Sequence, residues 1–511
     1  MVRLSNAEEL VMRLKPGLPP TVFRFPRGYG EESIPATGDV NRPQAAIWWT
    51  KEQILREHRL GYEPGKIFLG RVDDKMIGLV DDRHIVTIAG SRGGKSTCLL
   101  LPNLKLYPGS ALVIDPKGEL ARSTARHRRD ALGQDVHVLD PWGVSGLPDD
   151  YQSAFDPLAQ LREDPADIID NADLMADALI VASAKDPHWT DAARALLRAL
   201  ILWLSMEAGG SLAELPPIIA RIAAEVSEQS GPDTLLGQLS TLQETEDERS
   251  PEALAVIRTQ AQIMLGANDK ERASILSTAR TQLAFLESPA MARNLRLSLL
   301  RLSQLKRRPT TIYLCLPASR MGTHGRWLRL VVSLAVSALE NASYPSGQAR
   351  NDPVLFILEE FAALGHMRAL EQAAAYMAGF GVKLWVVLQD LTQLKRHYQD
   401  GWETFLGNAG IVQAFSVSDL TTCEYLSKRL GETTFAITNK QEVGSFQTLQ
   451  GDTGLRREFK TAPLLAPDEL ARKVARKADE AGYTAGGLTL VLVAGAHPFV
   501  CDRVHHKELA G

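Results

Sequence analysis

The chain has 511 residues, of which 45% are hydrophobic and 23% charged, with 39 Gly and 27 Pro. That length divides into about two to four domains, and the balance is that of a globular chain with a large buried core, in which long disorder is not expected. A net charge of −4 and a pI near 6.3 exclude a uniformly basic nucleic-acid coat protein, while leaving room for local phosphate contacts.

Residues 1–65 read as a leader of turns. Gly28, Gly30, Pro35, Gly38 and Pro43 punctuate it, so little regular structure is expected before about Ala45. The first 50 residues contain no span of about 20 apolar residues, and the uncharged stretch 481–501 reads as a turn and a buried strand. A cytoplasmic chain without a membrane helix is expected. Cys98, Cys315, Cys423 and Cys501 never stand at CxxC spacing, which fits a reducing compartment and argues against a zinc site or a disulfide framework.

From 66 to 160 strand and helix alternate. Strands are expected over 84–88, 110–114 and 136–139, and helices from Gly93–Lys95 onward and over 118–129. Short continuous apolar runs, in place of strict alternation, indicate a parallel sheet covered by helices. Between 161 and 298 the strand signal vanishes. Trp189, Ala193, Leu196, Leu197, Leu200 and Leu204 form an apolar stripe at helical spacing, and 254–265 and 274–286 behave alike. An all-helical insertion is expected there.

Alternation resumes over 299–511. Strands are expected over 311–316, 354–358, 382–388, 410–415 and 488–494, with helices over 325–339, 368–377, 420–430 and 467–475. A polar stretch, 433–460, reads as a loop or long hairpin. Basic runs (Arg122, Arg126, Arg128 and Arg129; Lys306, Arg307 and Arg308; Lys395 and Arg396; Arg472, Lys473, Arg476 and Lys477) read first as solvated helix faces.

The strand 84–88 runs into Ala89, Gly90, Ser91, Arg92, Gly93, Gly94, Lys95, Ser96 and Thr97. This is a P-loop pattern with Ala at the usual first Gly. Small residues let backbone N–H groups wrap phosphates while a helix N-terminus faces them. Lys95 is expected to neutralise the β and γ oxygens of ATP, and Ser96 to hold Mg²⁺. A Gly-rich turn that holds no nucleotide is the plain alternative.

Such a loop needs a carboxylate at the end of a neighbouring strand for Mg²⁺ and another to polarise water. The strand 354–358 ends in Glu359 and Glu360, which are expected to serve as metal contact through water and as general base. Asp115, at the end of the strand 110–114, either joins the site or caps the following helix. Gln389, which ends the strand 382–388, is placed to sense the γ-phosphate or to remain a surface amide.

Several segments together resemble the coupling-protein ATPases of type IV secretion systems, the conjugative DNA-transfer motors. They are IAGSRGGKST at 88–97, LVIDPKGEL at 112–120, HWTDAAR at 188–194 and STARTQ at 277–282, followed by LEEFAALG at 358–365, VLQDL at 387–391, FLGNAG at 405–410 and LGETT at 430–434. The resemblance implies an α/β, RecA-like P-loop domain with a mostly parallel sheet, built from 66–160 and 299–511 and interrupted by an all-α domain at 161–298 that recognises cargo. It implies ATP and Mg²⁺ as cofactors, with Lys95, Ser96, Glu359, Glu360 and Gln389 at the family's motif positions. It further implies a hexameric ring that passes single-stranded or relaxase-bound DNA, or protein cargo, to secretion-channel components. Arg280, Arg320 and Arg429 are the candidates for an arginine that reaches a neighbour's γ-phosphate. Glu359 stands where Asp is commoner, and the family's initial membrane helices find no counterpart, so contact with the inner face of the membrane is expected through partners. A non-motor, nucleotide-dependent adaptor and a soluble translocase on double-stranded DNA are the rival readings.

Overall fold

Aliphatic and β-branched runs that are apolar on both faces are stable only where both faces are covered. Six strands meet that condition, with every residue buried: β3 (His84–Ala89), β4 (Ala111–Ile114), β6 (Thr310–Leu314), β7 (Val354–Leu358), β8 (Val382–Leu388) and β9 (Ala409–Phe415). With β5 (Asp135–Leu139) they form a continuous parallel block in the order β9-β3-β8-β7-β4-β6-β5. The structure is a computed structural model, which describes residues 46–509 apart from 164, 183–186, 229–231, 244–249, 297, 299, 345–351, 441–454 and 478–485.

Four antiparallel strands extend the block to eleven. They are β1 (Ile67–Val72), β2 (Lys75–Leu79), β12 (Leu488–Val493) and β13 (Phe499–Asp502), in the order β2-β1-β13-β12-β9. Of these the sequence pattern reveals only β12. A two-residue turn at Asp73-Asp74, with Asp73 left-handed (φ 53°), joins β1 to β2. Strands more than 400 residues apart therefore meet inside one sheet, where Arg71 is paired with Asp502.

The described part of the expected leader is not irregular throughout. Helix Lys51–Arg56 is opened by a capping box from Thr50 and Gln53, and Trp49 stacks on Phe499 while its backbone N–H donates to the Pro498 carbonyl. Apolar contact with β13 orders this segment; residues 1–45 of the expected leader lie outside the described residues. The 433–460 stretch contributes a hairpin, β10 (Glu432–Lys440) against β11 (Leu455–Pro463), apart from the main sheet.

Between β5 and β6 the described residues hold helices and turns without a strand. Helix Ile168–Leu179 packs on helix Pro187–Met206 and on the largely buried helix Met321–Asn341. Arg329 ties these layers together. Its Nε donates to the Ala178 carbonyl, while Nη1 donates to Leu364 at 2.9 Å and to His366. Two other basic residues are likewise not on solvated faces. Arg128 is wholly buried and donates to Gln134, Thr311 and the carbonyls of Leu104, Tyr107 and Gly109; Lys306 is buried against the carbonyls of Leu339 and Ala342. Terminal carbonyls of helices need donors, and these cations supply them. Among the described residues no helix is long and apolar enough to cross a membrane, and all four cysteines are buried thiols outside any disulfide.

Candidate nucleotide site

Ala89 is the last residue of β3, opposite Phe415, and the chain leaves the sheet through a tight loop before re-entering a helix at Lys95. The Gly93 N–H donates to the Gly90 carbonyl at 3.1 Å, and the Cys98 N–H donates to the Gly94 carbonyl at 2.9 Å. Glycine is required here for room. A Cβ on Gly90 would stand 2.2 Å from the Ser416 carbonyl oxygen, and one on Gly93 would stand 2.8 Å from the Ser416 Cβ. Arg92, at φ 56°, and Gly94, at φ 91°, take the left-handed region that turns successive amides inward. The helix starts with a wide π-helical turn over Ser96–Leu100 before the α-helix Leu101–Leu106.

Two strands away, β7 ends beside this loop. The Ser96 hydroxyl donates to Glu359 Oε1 at 3.1 Å, and Lys95 Nζ lies 3.5 Å from Glu360 Oε1. Between them β8 brings Gln389, whose Nε2 donates to both Glu360 oxygens at 3.3 and 3.0 Å and whose Oε1 accepts from Ser91 at 3.1 Å. Loop, acids and amide thus form one connected set, although Ser96 and Glu359 are 263 residues apart. Glu360 itself is left-handed, at φ 54°. A non-glycine residue holds such a backbone at a cost of about 1–3 kcal/mol, which is common where a side chain must be aimed.

Burial sets the electrostatics. Glu359, 4% exposed, has its pKa pushed up to about 7 by desolvation first and by the nearby Asp115 charge second; Lys95 and the Ser96 hydroxyl oppose that rise. Asp115, fully buried, is pushed up to about 6, again by desolvation. Its carboxylate accepts the N–H groups of Glu119 and Ala121 at 3.1 and 2.8 Å, so it caps helix Glu119–Asp130 while also facing Glu359. Asp115 thus caps the following helix and also stands beside Glu359.

A hydroxyl and a carboxylate 3.1 Å apart at a helix start are the hard oxygen donors that Mg²⁺ selects, so the residues present fit a magnesium nucleotide. Thr97 lies in the first turn and passes its carbonyl to the His506 N–H at 2.9 Å. The three arginines expected to reach a neighbouring subunit's site stand away from this set in their own chain, as a role in trans allows. Arg280 is exposed on helix Asp269–Leu283, Arg320 stacks 4.8 Å over Trp142, and Arg429 reaches the Leu406 carbonyl at 3.4 Å. Two residues that the pattern did not single out do reach the loop: Ser416, itself left-handed at φ 52°, and Arg503, which donates to the Gly93 carbonyl at 2.7 Å. Neither carries a motif; their only signal is a place just beyond a strand end.

The glycine loop at the carboxyl end of a central parallel strand, facing acids from two strands away, defines a RecA-like P-loop protein carrying a helical insertion. The chain belongs to the family described as "Type IV secretory system Conjugative DNA transfer", which matches residues 39–506. Conjugal transfer protein TraG of Escherichia coli is 26% identical over 433 residues, covering 82% of this chain and 66% of that protein. VirD4 of Agrobacterium fabrum is 27% identical over 391 residues, covering 76% and 55%. The chain thus spans less than two thirds of the length of these curated relatives. Among solved structures, the bacterial conjugative coupling protein TrwBdeltaN70 has a similar fold, with a TM-score of 0.59 at 14% identity, covering 87% of this chain and 90% of that one.

Proposed function

We propose that the chain binds MgATP at residues 89–97 and hydrolyses it to drive DNA, or a relaxase–DNA or protein cargo, towards a secretion channel. The observation that carries this reading is the joining of Ser96 to Glu359 and of Lys95 to Glu360 and Gln389. A decorative glycine turn has no need of two acids and an amide brought from two other strands. The relative of similar fold has been solved with ADP and Mg²⁺, and TraG and VirD4 give the expected class of transport.

In this reading Ser96 and Glu359 hold Mg²⁺, which neutralises charge on the phosphates when bound. The backbone amides of 90–97 and the Lys95 ammonium bind the β and γ oxygens. Lys95 has to leave Glu360 to do so, and Glu360 is then free to accept the proton of an attacking water. Gln389 contacts both Glu360 and the loop residue Ser91, so it links the water side of the site to the phosphate side. Asp115 holds the adjoining helix in place and raises the proton affinity of Glu359. The active assembly is a homo-oligomeric ring, a hexamer, at the cytoplasmic face of the membrane, and the helical region 161–298 recruits cargo. The Arg329 bridge from Leu364 and His366 to Ala178 offers a short route from the acids to that region.

The test is ATP turnover with and without single- and double-stranded DNA, in the wild type and in Lys95→Ala. DNA-stimulated turnover in the wild type and its loss in the variant are expected. Turnover that survives Lys95→Ala refutes the site; absent turnover with intact nucleotide-dependent assembly points to an adaptor.

A further inference from the structure

The phosphate loop rests on a buried cation from the far end of the chain. Arg503 follows β13 and is 6% exposed. Its Nη1 donates to the Gly93 carbonyl at 2.7 Å and to the Ser416 hydroxyl at 3.1 Å; Nη2 donates to the carbonyls of Gly486 at 2.9 Å and Ala475 at 3.1 Å. The guanidinium lies 5.1 Å from the centre of the Phe415 ring, and Gly487 leaves it room, since a Cβ there would stand 2.2 Å from Nη2. Every one of these partners is neutral. Among the described residues no carboxylate is paired with Arg503, and Nε has no acceptor. Arg128 is also solvated by neutral groups, but it holds the carbonyls of 104–109 and does not touch the loop.

We propose that Arg503 is a positioning residue of the phosphate loop, which fixes the Gly93–Gly94 peptide and lends the loop a positive charge whose hydrogen-bond partners among the described residues are all neutral. The inference rests on the nucleotide reading above. In a trans peptide the N–H points opposite to the carbonyl, so the Gly94 N–H faces away from Arg503. Donation to the Gly93 carbonyl polarises that N–H, because linked hydrogen bonds strengthen one another. The Gly93 peptide has few other restraints: its own N–H closes the turn to Gly90, and Gly94 is in the left-handed region. The charge acts on bound phosphate, so its effect grows with the number of phosphates and falls on binding more than on the chemical step.

The experiment uses the full chain with Arg503→Gln, Arg503→Lys and Lys95→Ala beside the wild type. Equilibrium binding of fluorescent ATP, ADP and AMP analogues with Mg²⁺ is measured, together with KM, kcat and the melting temperature. Arg503→Gln is expected to weaken the ATP analogue about tenfold and the AMP analogue by less than threefold, with KM rising in step and kcat within twofold. Arg503→Lys, which keeps the charge, is expected to stay within about threefold of the wild type. Equal loss in Gln and Lys variants, equal loss for ATP and AMP analogues, or a fall in kcat at constant KM overturns the proposal. If Arg503→Gln does not fold, a tenfold loss in a well-folded Arg503→Lys overturns it alone. A wild type that binds no nucleotide sinks the functional reading instead, whereas wild-type binding that Lys95→Ala abolishes and both Arg503 variants leave intact sinks only this inference.

Discussion

Replacing Glu359 by Gln tests the electrostatics of the site without any assumption about cargo. The folded protein holds the Glu359 proton up to about pH 7, whereas the ordinary value is 4.5. The folded state therefore binds more protons than the unfolded chain between these limits, so stability falls as pH rises through the window and is level above it. At 1.36 kcal/mol per pH unit, the cost of ionising this group in place is about 3 kcal/mol at pH 8 and under about 1 kcal/mol at pH 5. Gln keeps an oxygen for the Ser96 hydroxyl and removes the titration. An unfolding entropy of about 2.1 cal/mol/K per residue gives a chain of this size about 1 kcal/mol per degree. Metal-free Glu359→Gln should thus melt about 3 °C above the wild type at pH 8 and about 1 °C or less above it at pH 5. Asp115 titrates in both proteins, so most of its contribution cancels. Adding MgATP should reverse the order, because a carboxylate anchors Mg²⁺ more strongly than the neutral amide that replaces it. Calorimetry or fluorescence melts at the two pH values decide the matter. A variant that melts below the wild type by the same margin at both would refute the reasoning.

Three further outcomes follow from neighbouring contacts. Asp115→Asn removes the charge that raises Glu359, so the pH midpoint of Mg²⁺-dependent nucleotide binding should move down; one lost acceptor for the Glu119 and Ala121 amides should cost about 1–2 kcal/mol in a melt. Gly90→Ala drives a methyl against the Ser416 carbonyl oxygen, and should weaken nucleotide at least tenfold while costing about 1–3 kcal/mol, read by titration and melt. Arg128→Ala strips donors from three buried carbonyls as well as Gln134 and Thr311, and should destabilise by more than about 3 kcal/mol; Arg128→Lys, with no planar fork, should recover little in the same denaturation assay.

The middle of the sheet was legible because its strands are apolar on both faces: the expected 354–358 and 382–388 coincide with β7 and β8, residue for residue. The edge was not. β1 contains Gly70 and Arg71, β2 begins at Lys75, and their pairing is fixed by a turn and by β13, over 400 residues further on. The loop, Glu359, Glu360 and Gln389 were legible because each ends a recognisable strand. Ser416 and Arg503 were not, since what gives them a role is a contact spanning the chain. Arg128 and Lys306 misled for a related reason. Within a basic helical run nothing local distinguishes the one residue that turns inward, and the carbonyls that draw Lys306 in belong to another helix.

Gly93 and its partner Arg503 are separated by 410 residues. At about 5–20 residues per second, a ribosome needs roughly 20–80 s to deliver the arginine after the loop has emerged. During that interval the nascent polypeptide carries a phosphate loop without its backstop, and the β9 edge awaits β12. The loop therefore reaches its full grip on nucleotide only once residue 503 has been added.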